Sequence, residues 1–119
     1  MVSVGVDIVE VERIRRAIDR WGPEFLSRVF TKDEIAYCRG KAREAESFAV
    51  RFAAKEAFAK ALKVGKASVW LEVEVTRSES PRPTLVLTGT AKKLAGKRRI
   101  DVSLSHVPTY AVAVVLVEY

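Results

Sequence analysis

The sequence predicts a single α+β domain over residues 1–119, with a mostly antiparallel sheet covered by helices that include one long helix. The length of 119 residues fits one domain. Apolar residues recur mainly at helical spacing in the first half of the chain and alternate in the second half. Helices grouped ahead of strands favour an α+β arrangement over a parallel α/β sheet. No internal repeat, linker or low-complexity tract divides the chain.

The first predicted elements are a strand and a helix. In residues 2–6, valines alternate with serine and glycine, which predicts a short strand with Asp7 at its end. Over residues 10–21 the apolar period becomes 3.6, which predicts a helix. Gly22-Pro23 is expected to end that helix.

Two further helices are predicted before residue 65. Thr31 followed by Glu34 has the spacing of a capping box and predicts a helix that runs to about Arg39. The longest helix is expected from about residue 46 to 62. Six alanines between Ala49 and Ala61 give it high helix propensity and allow another backbone to approach closely.

The remaining sequence predicts mainly strands. Strict alternation over 69–76 predicts a strand from which Trp70 points outward, and 78–83 is predicted as a turn leading to a strand at 84–88. Residues 90–95 fit either a short helix or a basic loop. Two strands follow, at 100–105 and 110–117. The last is apolar on both faces, so we expect it to be central or covered by a contact.

The composition restricts compartment and partners. One cysteine and one histidine cannot form a disulfide or a four-ligand zinc site of nitrogen and sulfur donors, and no apolar run is long enough for a bilayer span or a signal peptide. These features predict a cytoplasmic location without membrane insertion. The net charge of +6 favours an acidic partner. Charge alone leaves nucleic acid, an anionic membrane, a phosphorylated small molecule and an acidic protein as alternatives.

One face of the first helix is predicted to be basic. Arg13, Arg16 and Arg20 fall within about 60° of each other on a helical wheel, nearly opposite the apolar stripe. Glu10, Glu12 and Asp19 lie outside this ridge. The ridge is either a solvated surface or a docking site for an acidic helix.

Two carboxylates are candidates for a metal site. Asp7 follows a strand that contains Gly5, and Glu56 lies on the alanine-rich helix at the edge of its apolar stripe. Oxygen ligands on two rigid elements suit Mg²⁺, which takes one or two carboxylates and fills its other positions with water and substrate phosphates. The structural alternatives are that Asp7 caps the first helix and that Glu56 forms an ordinary helical ion pair with Lys60.

The two segments together resemble the 4′-phosphopantetheinyl transferases. Gly5-Val6-Asp7 is similar to the family's Gly-x-Asp motif, and residues 52–60 (FAAKEAFAK) are similar to its Trp/Phe-x-x-Lys-Glu-Ala/Ser-x-x-Lys motif. The segments 28–37 and 103–112 extend the resemblance to the small bacterial holo-acyl-carrier-protein synthases over nearly the whole chain.

The resemblance implies a fold, a reaction and a set of residues. The implied reaction is Mg²⁺-dependent transfer of the 4′-phosphopantetheine arm from coenzyme A to a serine of acidic apo acyl carrier protein, in a homotrimer with its sites between subunits. Asp7 and Glu56 would bind Mg²⁺, with either Glu56 or a metal-bound water taking the serine proton. The implied coenzyme A-binding residues are Arg51, Lys55, Lys60, Gly65 and His106. The basic ridge of Arg13, Arg16 and Arg20 would dock the carrier protein, and Lys60 is also a catalytic candidate.

Alternatives remain beside this interpretation. The turn at 63–65 contains fewer glycines than is usual in the family, which affects the role of Gly65, and His106 could instead be satisfied by backbone at a strand end. A non-catalytic relative that binds coenzyme A and a basic nucleic-acid-binding module are the alternative functions. The low aromatic content of 8% argues against the nucleic-acid-binding module.

Overall fold

A computed structural model describes residues 1–65, 69–76 and 82–119. The predicted α+β class is confirmed. In chain order the elements are β1 (Val2–Glu10), α1 (Val11–Trp21), α2 (Pro23–Val29), α3 (Lys32–Arg39), α4 (Glu44–Leu62), β2 (Val73–Thr76), β3 (Thr84–Leu87), α5 (Gly89–Ala95), β4 (Arg99–His106) and β5 (Tyr110–Glu118). A 3-10 turn at Trp70–Glu72 precedes β2.

The described strands form an antiparallel sheet in the order β1-β5-β4 and a separate antiparallel ribbon of β2 and β3. β5 is therefore central, as its doubly apolar sequence predicts. Helix α4 packs across β1 and β5, and most of its side chains from Glu46 to Ala61 are buried. This long helix is the centre of the core, together with Phe30, Val73 and Val115 from the elements around it.

Strand β1 reverses the usual pattern of an amphipathic strand. Ser3, Gly5 and Asp7 lie on the α4 side together with the buried Val9, whereas the other four large apolar residues are more than half exposed: Val2, Val4, Val6 and Ile8. Gly5 explains the inner face, because a Cβ there would lie only 1.9 Å from the carbonyl oxygen of Ala57. The backbones of β1 and α4 are in direct contact, and no larger residue fits between them.

The structure corrects several element predictions. β1 runs to Glu10, so Asp7 lies inside the strand rather than at its end. Gly22-Pro23 ends α1 as predicted, but Pro23 also begins α2, a position where its missing N–H costs nothing. The first half of the strand predicted at 69–76 is the 3-10 turn, in which Trp70 is partly buried rather than exposed. Most of the turn predicted at 78–83 lies outside the described residues.

Other local predictions are confirmed. Thr31 and Glu34 form a complete capping box at the start of α3, with each side chain bonded to the other residue's backbone N–H. α4 ends at Leu62, where Lys63 adopts a left-handed conformation (φ 57°) as the C-cap. Residues 89–95 form a helix rather than a loop. Within the described part of the chain, no helix is long and apolar enough to cross a membrane.

Candidate active site

Asp7 and Glu56 line the same cavity. Alternation along β1 places the Asp7 side chain on the α4 side of the sheet, the same side as Gly5 and Val9. The cavity has a volume of about 320 Å³ and is also lined by Arg13, Phe25 and Phe52. The Asp7 side chain is 14% exposed and Glu56 is 7% exposed. The two carboxylates are thus sheltered but reachable from solvent.

The donor set fits Mg²⁺ better than a transition metal. Two carboxylates from rigid elements open onto one cavity, and the remaining positions of a magnesium ion are ordinarily filled by water and phosphate oxygens. Among the residues that the structure describes, no group of three or more histidine, cysteine, aspartate or glutamate side chains could hold a metal by itself. A cation at Asp7 and Glu56 would therefore need oxygens from a substrate or from water.

Lys60 lies beside Asp7. Its Nζ is 2.9 Å from Asp7 Oδ1 and donates to the carbonyl oxygen of Val6 at 3.0 Å, while 43% of its side chain is exposed. Lys60 stands one helical turn beyond Glu56 on α4, so it adds a positive charge next to the carboxylates. The predicted neighbourhood of Asp7, Glu56 and Lys60 is present in the folded chain.

Lys55 does not have the surroundings that the implied coenzyme A-binding role requires. Its side chain is fully buried, and its Nζ contacts Glu34 Oε1 and the carbonyl oxygen of Trp70, each at 2.7 Å, as well as the carbonyl of Val73. Burial lowers the pKa of the Lys55 amine, while the adjacent Glu34 carboxylate acts in the opposite direction. Because three protein oxygens surround this ammonium in the core, the geometry does not support phosphate binding by Lys55.

Glu34 completes that buried pair. Oε1 accepts the Thr31 backbone N–H at 2.9 Å, and Oε2 accepts the N–H of Val75 at 2.9 Å. The carboxylate therefore joins the start of α3 to strand β2, and Lys55 adds α4 to the same network. We call the Glu34–Lys55 pair the core ion pair.

Arg51 and His106 lie towards the first half of α4. Arg51 is 4% exposed and its guanidinium lies 4.5 Å from the centre of the Tyr37 ring. One guanidinium N–H donates to the carbonyl of Ser47, and the buried Nε has no hydrogen-bond partner among the residues that the structure describes. An anion is the natural partner for such an unused donor on a cation.

His106 ends β4 and makes a side-chain contact. Its Nδ1 is 2.8 Å from Glu46 Oε1, and 41% of the side chain is exposed. The alternative in which His106 is held by backbone is therefore wrong. Gly65 is exposed immediately before residues 66–68, which lie outside the described part of the chain. Its predicted contact with coenzyme A stays a prediction.

The basic ridge on α1 is exposed, but it is less uniform than the helical wheel predicts. Arg16 Nε lies 3.5 Å from Glu12 Oε2, so one acidic residue reaches into the ridge. The Arg20 guanidinium lies 5.0 Å from the centre of the exposed Trp21 ring. Arg13 lines the cavity that holds Asp7 and Glu56. The ridge therefore continues into the candidate site.

Sequence reasoning missed Trp70 as a site residue. Its indole Nε1 lies 3.3 Å from Glu56 Oε2, and its ring packs against Phe52 with centres 5.8 Å apart. The alternation over 69–76 predicts a strand, and a strand would direct this side chain away from α4. Only the tertiary position of the 3-10 turn reveals the contact.

Comparisons with known proteins agree on one family. Residues 3–115 match the model of the 4′-phosphopantetheinyl transferase superfamily. The chain is 46% identical to a holo-[acyl-carrier-protein] synthase of Koribacter versatilis, covering 99% of this chain and 98% of that protein. A Moorella thermoacetica protein of the same name is 47% identical, with 99% and 94% covered.

The fold agrees with a solved structure. A Helicobacter pylori holo-[acyl-carrier-protein] synthase in complex with coenzyme A superposes with a TM-score of 0.83 at 32% identity. The match covers 97% of this chain and 99% of that one.

Proposed function

Because the chain belongs to the 4′-phosphopantetheinyl transferase superfamily, we propose that it is a holo-[acyl-carrier-protein] synthase. It transfers the 4′-phosphopantetheine arm of coenzyme A to a serine of apo acyl carrier protein and releases adenosine 3′,5′-bisphosphate. The observation that carries the proposal is the pair of carboxylates, Asp7 and Glu56, that share one cavity beside Lys60. The names of the full-length relatives support the substrates.

Asp7 and Glu56 are the proposed ligands of Mg²⁺. When bound, the ion would supply Lewis acidity at the pyrophosphate of coenzyme A. The carrier-protein serine loses its hydroxyl proton to Glu56 or to a water molecule, and its oxygen forms a new bond to the phosphorus that carries the pantetheine arm. The bond from that phosphorus to the bridging oxygen breaks, and that oxygen leaves with the adenosine bisphosphate. The serine is the nucleophile, so this chain needs no covalent intermediate of its own.

Lys60 is the proposed phosphate-binding and catalytic cation at this site. The lysine end of this ion pair is 43% exposed, so the Lys60 ammonium can reach a phosphate oxygen while Asp7, only 14% exposed, stays in the cavity wall. Charge that develops on the leaving phosphate would then be stabilised by a donor already in place.

Arg51, His106 and Gly65 are proposed to bind other parts of coenzyme A. Arg51 and His106 stand apart from the cavity of Asp7 and Glu56, and Arg51 precedes Glu56 by five helical residues, about 7.5 Å along α4. A ligand that uses both regions must be extended. Neighbouring subunits of a homotrimer would close such a site.

The outer face of the sheet supports the homotrimer. β1 exposes Val2, Val4, Val6 and Ile8, and the adjoining β5 exposes Tyr110 and Val114. A contiguous apolar face of this kind is typical of a protein–protein interface. We propose that this face is buried between subunits, which explains why β1 turns Val2, Val4, Val6 and Ile8 away from α4.

The acidic carrier protein is proposed to dock on Arg13, Arg16 and Arg20. The ridge leads to the catalytic carboxylates through Arg13, so an acidic helix on the ridge can present its serine at the cavity. The net charge of +6 would attract such a partner over longer distances. The reaction belongs to the cytoplasm, where fatty acid synthesis uses the holo carrier protein.

Intact-protein mass spectrometry tests the proposal directly. An apo acyl carrier protein is incubated with this protein, coenzyme A and Mg²⁺, and we expect a gain of one phosphopantetheine mass that disappears with a chelator. Asp7→Asn and Glu56→Gln should each lower the rate by about 10²–10³-fold because several kcal/mol of charge stabilisation are lost. Asp33→Asn, on the exposed first turn of α3, is the matched control.

Two results would contradict the proposal. Near-normal turnover by Asp7→Asn or Glu56→Gln would show that these carboxylates are not the metal ligands. No mass gain with several carrier proteins, despite a folded protein that binds coenzyme A, would instead indicate a non-catalytic relative.

A further inference from the structure

Trp70 is held by two consecutive residues of α4. Lys55 Nζ donates to the Trp70 carbonyl oxygen at 2.7 Å, and the Trp70 indole Nε1 donates to Glu56 Oε2 at 3.3 Å. Side chains of adjacent helical residues point about 100° apart. Lys55 therefore fixes the backbone of this tryptophan from the core, while Glu56 meets its side chain at the cavity.

The surroundings of Trp70 make it a rigid support. The 3-10 turn that carries it is anchored a second time, because Glu72 Oε1 accepts the backbone N–H of Ala91 at 2.9 Å. The indole packs on Phe52 with 48° between the ring planes. Both the backbone and the ring plane of Trp70 are thus fixed before any ligand arrives.

An indole N–H suits the support of a metal-binding carboxylate. It only donates, so it cannot itself ligate a cation, and its hydrogen bond persists when a cation approaches the carboxylate. A carboxylate has about four lone-pair sites on its two oxygens, so one N–H at Oε2 restricts its rotation without using up its capacity. Partners of this kind orient metal ligands in many proteins.

We propose that Trp70 is a positioning residue that orients the Glu56 carboxylate for the divalent cation, with Lys55 acting through the Trp70 backbone. This inference rests on the proposed metal site. It also gives Lys55 a role at the site without contact with the substrate. Lys55 fixes the backbone of the 3-10 turn through the Trp70 carbonyl oxygen, and the turn orients the Trp70 indole towards Glu56. The lysine and the glutamate of the same motif thereby act on one tryptophan.

Trp70→Phe is the primary test, because it keeps a ring against Phe52 and removes the N–H. We expect the Mg²⁺ concentration for half-maximal transfer to rise about 10- to 100-fold, with most of the rate recovered at saturating Mg²⁺. A merely structural role would lower the melting temperature and leave the Mg²⁺ requirement unchanged. A Mg²⁺ requirement within about twofold of the original overturns the inference.

A second measurement needs no change at Trp70 and no turnover. The chain has two tryptophans, so the ¹⁵N-edited spectrum has two indole N–H signals, which Trp21→Phe assigns. With coenzyme A present and carrier protein absent, Mg²⁺ should shift the Trp70 signal, and Glu56→Gln should abolish the shift. An unresponsive Trp70 signal overturns the inference.

Failure of the positioning role of Trp70 can be distinguished from failure of the proposed function. If Mg²⁺ shifts the Trp70 signal through Glu56 but no carrier protein is modified, the positioning role stands and the proposed function fails. If transfer requires Mg²⁺ while Trp70→Phe keeps the same requirement, the proposed function stands and the positioning role is wrong. If no Mg²⁺ binds to the wild-type protein, both are wrong.

Discussion

Lys55 and Lys60 lie five residues apart on one helix and have opposite environments. Lys55 is fully buried and paired with Glu34, whereas Lys60 is 43% exposed and paired with Asp7. Five residues at 100° each leave the two side chains about 140° apart around the axis. Lys55 therefore faces α3 and β2 inside the core, and Lys60 faces β1 beside Asp7.

The contrast shows that burial, not residue type, decides what an ion pair does. Removing one partner of a buried pair leaves an uncompensated charge in the core, which is strongly destabilising. Removing one partner of an exposed pair changes stability little, because water replaces it. We expect Lys55 to matter for the folded state and Lys60 for the reaction.

The largest expected effect is on stability. Lys55→Met should lower the free energy of unfolding by about 3–5 kcal/mol, because Glu34 then stays buried without its cation. Lys60→Met should lower it less, by about 1 kcal/mol, because the Lys60 ammonium is partly solvated although Asp7 is sheltered. Urea denaturation at equal protein concentration measures both, since the stability of the proposed trimer would depend on concentration.

A double variant provides the control for Lys55. Glu34→Gln with Lys55→Met removes both charges and should regain about half of the loss, since the buried carboxylate is gone. Equal urea midpoints for Lys55→Met and Lys60→Met would show that the core ion pair contributes no more than a surface pair.

The next largest effect is on transfer activity, for which we expect Lys60 to matter more than Lys55. Lys60→Met should lower kcat/KM for coenzyme A about 100-fold, the cost of removing one well-placed donor to a developing charge, while the urea midpoint stays close to that of the wild type. Lys60→Arg keeps the charge and should recover part of the rate. Initial rates by mass spectrometry measure this. Full activity in Lys60→Met would show that Lys60 is not a catalytic residue.

How much the sequence could predict differs between these two regions. The Asp7, Glu56 and Lys60 group was predictable, because a strand and a helix of clear period carry short motifs at fixed positions. The resemblance implies a phosphate contact for both lysines, and the helical period shows only that they lie on different faces of α4. The difference in their environments depends on which faces of α4 meet α3 and β1, and packing partners distant in sequence are not encoded in a local period.

The predicted element boundaries are wrong where tertiary contacts override the local hydrophobic pattern. β1 extends through Asp7 because β5 pairs with it along its whole length, from Val2 with Glu118 to Glu10 with Tyr110. The turn at Trp70–Glu72 keeps an alternating sequence but is bent by its bonds to Lys55 and Ala91. Such bonds form only after the chain has folded, so periodicity alone predicts a strand there.

Gly5→Ala tests the Lys60 region without touching the core ion pair. The added Cβ would meet the backbone of Ala57 and Ala61, so β1 must move away from α4 and carry Asp7 with it. We expect a loss of about 1–3 kcal/mol of stability together with a loss of transfer activity. Gly40→Ala, where an added Cβ meets no atom of the described residues within 4 Å, is the matched control.

If Gly5→Ala keeps both stability and activity, the direct contact of β1 with α4 does not position Asp7. If it loses stability but keeps activity at low temperature, the contact supports the fold and leaves the carboxylate geometry unchanged.

The smallest expected effect is on the local opening of α3, which the labelling rate of Cys38 measures. This thiol is buried on α3, one turn after Glu34, and burial raises its pKa to about 11. At pH 8 it should react with a thiol reagent only when α3 opens, so labelling rates follow local opening. Removing the acidic partner of each lysine compares the two regions: Glu34→Gln should speed labelling about tenfold, a change of about 1.4 kcal/mol, and Asp7→Asn should leave it within about twofold. Equal acceleration by both would mean that α3 opens only with the whole domain, and the two ion pairs would then stabilise a single cooperative unit.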